Sequence, residues 1–113
     1  MEPRLSTSVL VTALIRLAES KGGFASVLAK GDGTAGALLV ILAERGQKLQ
    51  ILERILQPDE RYAWQPVARE APGNEEEFER FLARRRKFDP DLWVLELDIA
   101  SSQRFADEMN DFR

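Results

Sequence analysis

Four acids gather near the C-terminal end of the chain: Asp89, Asp91, Glu96 and Asp98. Glu96 and Asp98 stand two residues apart, so a strand would put both carboxylates on one face. Asp89 and Asp91 flank Pro90 just ahead of them. Carboxylates brought together in this way can hold Mg²⁺ for phosphoryl chemistry, and Glu53 is the natural third member. The plainer reading is a half-exposed sheet face preceded by a turn that positions Trp93. A nuclease pattern of the Pro-Asp…(Asp/Glu)-x-Lys kind would begin at Pro58-Asp59. No acid-x-Lys follows it, and Glu19-Ser20-Lys21 comes before it.

Three other groupings have chemical content. Arg84, Arg85, Arg86 and Lys87 form one basic cluster, with Arg80 a turn earlier. They can meet the phosphates of RNA or DNA, or simply match the negative end of a helix dipole. Residues 31–36 are rich in glycine, and backbone N–H groups in such loops can cradle phosphate. A P-loop, however, places its lysine after the glycines and before a helix. Here Lys30 precedes the loop and a strand follows, which reads as a hairpin between the strands at 24–29 and 37–43. Tyr62, Trp64 and Trp93 could form a platform for a base or ligand, although strand aromatics more often pack a sheet face.

The chain excludes more than it offers. It has 113 residues with no histidine and no cysteine. Without imidazole or thiolate, serine and cysteine triads and zinc sites fall away. Carboxylates, Lys and Arg, Tyr62 and hydroxyls remain, and no metal or cofactor site is assigned. The absence of cysteine favours a reducing, cytoplasmic setting. The net charge is −3, with the negative balance in the second half of the chain. That balance does not suit general nucleic-acid binding, although a local basic patch can still act. Thr12 and Arg16 break the apolar N-terminal stretch, which is far short of the roughly 20 residues a membrane span needs. It reads as a buried amphipathic helix and not as a targeting segment.

Hydrophobic periodicity places these groups on elements. Residues 7–21 form a first helix capped by Ser6 or Thr7 and closed by Gly22-Gly23. Leu10, Ala13, Leu14, Leu17 and Ala18 make its apolar stripe, and Val11 and Ile15 make a second stripe beside it. Residues 24–29 read as a strand. Residues 37–43 are a continuous apolar run, the mark of a central strand covered on both faces. Gly46 sits in a tight hairpin before a strand at 48–56. Pro58 makes a turn, and Pro66 puts the next strand, 61–67, at an edge. A loop at 68–74 leads to a second helix. Asn74 caps it, Glu75, Glu76 and Glu77 fill its first turn, and Phe78, Phe81, Leu82 and Phe88 line its apolar face. Pro90 forbids its continuation. A strand at 92–99 follows, and then a tail with Phe105, Met109 and Phe112 at helical spacing.

Three stretches carry a resemblance: VTALIRLAES at 11–20, GGFASVLAKGDGTAGALLVIL at 22–42 and KFDPDLWVLELD at 87–98. Together they resemble a family of short bacterial proteins, domain of unknown function 1491, over roughly residues 5–99. Phe88-Asp89-Pro90-Asp91-Leu92-Trp93 is the most specific part. The resemblance implies a small intracellular bacterial protein and brings no catalytic or binding residue with it.

The expected fold is a single α+β domain over residues 1–113. It is a two-layer sandwich of about five antiparallel strands with two main helices, in the order α-β-β-β-β-α-β, with a short helical tail. A helix with more apolar surface than one sheet face can hide points to a non-enzymatic module that binds a protein partner or itself through Val11 and Ile15. The alternatives are a nucleic-acid-binding protein using Arg80, Arg84, Arg85, Arg86 and Lys87, and a carboxylate-dependent enzyme using Glu53, Glu96 and Asp98.

Overall fold

A computed structural model describes residues 5–67 and 74–110. The elements follow the expected order: α1 (Thr7–Ser20), β1 (Phe24–Ala29), β2 (Leu38–Glu44), β3 (Gln47–Leu56), β4 (Tyr62–Pro66), α2 (Glu75–Phe88), β5 (Trp93–Asp98) and α3 (Ser102–Asn110). The expected loop at 68–73 and Phe112 of the tail lie outside the described residues.

Local chemistry sets the element ends. The Ser6 hydroxyl accepts the Val9 N–H at the start of α1, and Gly22 leaves the helix at a φ of 79°, where a side chain would be strained. The Asn74 side chain accepts the Glu77 N–H at 2.8 Å and starts α2. Between β2 and β3 the two-residue turn Arg45-Gly46 has φ of 50° and 82°. Positive φ at both positions is the turn whose twist matches an antiparallel hairpin.

The strands lie side by side in the order β1-β5-β2-β3-β4. Three neighbour pairs are antiparallel, but β2 and β5 run parallel, with Val40 opposite Leu95. The sheet is therefore mixed, whereas the sequence reading expected it wholly antiparallel. The reason is the path of the chain. After β4 at one edge, α2 carries it back over the sheet, and β5 enters between β1 and β2. A return of that kind, with a helix in the connection, delivers a parallel neighbour.

The helices cover both faces of the sheet, so there are three layers where two were expected. On one face, Leu10, Val11, Leu14 and Ala18 of α1 join Phe105, Ala106 and Met109 of α3 over Leu38, Val40, Leu42, Leu95 and Leu97. On the other face, Phe78 and Leu82 of α2 pack on Leu39, Ile41, Ile51 and Val94. Strand alternation divides β2 between the two cores, and its residues from Leu38 to Ala43 are all buried. Burying one such aliphatic side chain stabilises the fold by about 1.5–3 kcal/mol.

Candidate functional site

The glycine loop and the Asp-Pro-Asp turn form one structural unit. The Gly33 carbonyl accepts the Ser8 N–H at 2.9 Å, and the Thr34 carbonyl accepts the Thr7 N–H at 3.2 Å. The loop thus supplies acceptors to the free amides of the α1 N-terminus, the groups that a bound phosphate would otherwise use. The Thr7 hydroxyl donates to the Gly36 carbonyl at 2.7 Å. On the loop's other side, the Asp32 N–H donates to the Asp91 carbonyl at 3.0 Å, and the Trp93 indole donates to the Asp32 carbonyl at 2.7 Å. A Cβ at Gly31 would stand 2.0 Å from the Asp91 carbonyl oxygen, and one at Gly36 would stand 2.4 Å from it. These glycines allow close backbone approach, so the loop joins α1, β2 and β5 and does not stand open as an anion cradle; because β5 lies between β1 and β2, the loop is a crossover connection and not the expected hairpin.

The acids are drawn into similar work. Asp98 accepts the Arg45 and Gly46 N–H groups at 2.9 and 2.7 Å, which satisfies the amides of the hairpin turn. Glu96 lies 3.9 Å from the Lys48 ammonium, and Glu75 lies 3.0 Å from the same group. Lys48 also stands 4.7 Å over the Phe78 ring. Glu53 pairs with Arg85 of α2. The Asp89 carboxylate accepts the Asp91 N–H at 3.2 Å, closing the turn around Pro90. Among the described residues no three acids gather closely enough to hold a cation. The geometry gives the carboxylate-enzyme reading no support.

The other sequence candidates separate. Trp64 and Trp93 are buried in the α1–α3 core, and Tyr62 is half-buried with the Arg54 guanidinium 4.2 Å over its ring. They present no common platform. Val11 is only 4% exposed, and Ile15 is half-buried against the same core. The second apolar stripe of α1 is covered at Val11 and half-covered at Ile15 from within the chain, against the core that α3 also joins. Val11 therefore offers no surface to a partner, which corrects its assignment as an interface residue. Of the basic cluster, Arg85 is held by Glu53, and Arg80 pairs with Glu76 at 3.2 Å. Arg84, Arg86 and Lys87 are exposed. Phe88 is 82% exposed and takes no part in the apolar face expected of it.

The sequence reading missed the surface of β1. This edge strand carries no charge from Phe24 to Ala29. Phe24 is 75% exposed, and Val27 and Leu28 are nearly half exposed. A register shift between Val27 and Ala29 marks a bulge at Leu28 against β5. Beside Phe24 opens a cleft of about 520 Å³ lined by residues that include Lys21, Gly23, Arg45, Leu49 and Asp98. The available signal was an alternation too weak to bury either face of 24–29 fully. Among the described residues, no helix is long and apolar enough to cross a membrane.

Comparison with known proteins agrees with this architecture. A crystal structure of a DUF1491 family protein from Caulobacter crescentus is 35% identical, with a TM-score of 0.75, covering 84% of this chain and 88% of that one. An NMR structure of a DUF1491 family protein from the same organism is 33% identical, again at 0.75, covering 89% and 91%. The solution structure of protein Atu0922 from A. tumefaciens is 32% identical at 0.72, covering 88% and 89%. No curated protein matches. The model of a protein family of unknown function matches residues 5–107, and the chain belongs to that family, DUF1491.

Proposed function

We propose that this protein is a non-enzymatic interaction module that takes up an extended strand of a partner polypeptide along the free edge of β1. The observation that carries the reading is the uncharged edge strand with Phe24, Val27 and Leu28 exposed. Edge strands that must stay unpaired are usually short, or are guarded by lysine, proline or a bulge. The opposite edge, β4, ends at Pro66, whereas β1 has neither lysine nor proline within it and carries only the bulge at Leu28. Strand addition gains affinity from main-chain hydrogen bonds and specificity from pockets for alternate side chains. The lack of histidine and cysteine supports a binding role over catalysis, and the lack of cysteine also fits a reducing cytoplasm.

Site-specific photo-crosslinking tests the reading. A benzophenone side chain at position 24 should yield a discrete adduct in the native cell, and one at Gln65 on the β4 edge should not. Val27→Lys should abolish the adduct while leaving the melting temperature within a few degrees of the parent. If no adduct forms at position 24, or if it persists in the lysine variant, the reading fails. The adduct mass also separates a second copy of this chain from a different protein.

A further inference from the structure

A second surface, on α2, has a different chemistry. Arg80, Arg84, Lys87 and Phe88 follow one another at i, i+4, i+7 and i+8, a spacing that puts them on one side of a helix. Phe78 and Leu82 face the core, so this strip faces away from it. All four residues are exposed. Arg80 shares its charge with Glu76, while among the described residues no acid pairs with Arg84 or Lys87. Arg86 adds a further exposed cation on the opposite flank. Matching a helix dipole accounts for cations at this end. It does not account for an aromatic ring 82% exposed among them.

We infer that this strip binds single-stranded nucleic acid, with Arg84 and Lys87 on successive phosphates and a base stacked on Phe88. Exposed aromatics inside a cationic track are how proteins hold single strands without reading their sequence. The acids around the strip limit its length. Glu76 and Glu77 stand at the start of α2, and Asp89 and Asp91 lie just beyond its end, so the strip spans only two or three nucleotides. A membrane surface fits less well. An interfacial helix must bury a whole apolar face in lipid, and the apolar face of α2 is already spent on the sheet.

Fluorescence anisotropy with a labelled oligouridine of about ten nucleotides tests the assignment. With two phosphates neutralised, the logarithm of affinity should fall with the logarithm of salt at a slope of about −1.4, or roughly sevenfold between 50 and 200 mM. Phe88→Ala should weaken binding about tenfold and Phe88→Trp should restore it. The Arg84→Ala, Lys87→Ala double variant should remove most of the salt dependence. All of these positions are exposed, and thermal melts of each variant confirm that it folds. The inference is overturned by absence of binding in low salt, by indifference to Phe88→Ala, by inorganic polyphosphate competing as well as the oligonucleotide, or by flotation with anionic phosphatidylserine vesicles in place of oligonucleotide binding.

Discussion

At the scale of single residues, polar groups that looked chemical in the sequence prove to be joints. Asp98 holds a hairpin turn, the Asp91 carbonyl anchors the glycine loop, and the Trp93 indole closes the contact from the other side. The glycines make this testable, because two of them in one loop differ sharply in surroundings. A methyl at Gly31 would collide with the Asp91 backbone at 2.0 Å, whereas one at Gly33 would meet only Ser8 side-chain atoms at 3.7 Å. Backbone cannot rotate aside as a side chain can, so Gly31→Ala should destabilise the fold by about 3 kcal/mol. Gly33→Ala should change stability by less than about 0.5 kcal/mol, as surface substitutions usually do. Urea unfolding of both variants checks the pair. Equal stabilities would mean that the two loops do not approach this closely.

At the scale of elements, much of the fold was legible because periodicity and capping agree. Asn74, three following glutamates and Pro90 bound α2 from the sequence alone, and the structure places it at Glu75–Phe88. The unbroken run at 37–43 announced a strand covered on both faces. It was the better guide to layering, and it conflicted with helices packed on one face only. Strand order was not legible. Nothing local to β5 tells whether it pairs with β4, its predecessor in the chain, or slots between β1 and β2; that choice depends on where α2 lands. The exposed Phe88 was wrongly read into the apolar face of α2. Ten residues from Phe78, it stands about 80° round the helix from that ring and farther still from Leu82, so it lies off the buried face and is 82% exposed. The two phenylalanines should therefore respond differently. Phe78→Ala opens a cavity under Lys48 and beside Ile41 and Ile51, and should cost about 3–5 kcal/mol. Phe88→Ala should leave the melting temperature unchanged within about a degree or two. A large loss at Phe88 would show that its ring is covered.

At the scale of the whole molecule, the same sheet that buries β2 leaves β1 half-finished. β2 is paired on both sides and covered on both faces, so its amides should exchange with solvent only through global unfolding. Among the described residues β1 and β4 have one neighbour each, and they should exchange through local opening, faster by on the order of a hundredfold. Hydrogen-exchange mass spectrometry on dilute protein reads this gradient. It also separates the two edges functionally. If β1 receives a partner strand, its outward amides gain acceptors, and its protection should rise in the complex while that of β4 stays fixed. A concentration series on the pure protein isolates self-pairing, since only a second copy of the chain can then supply the strand. Protection that rises at β4 and not at β1 would place the interaction on the wrong edge. β1 amides already as slow as those of β2 in dilute solution would mean that the strand is not a free edge at all.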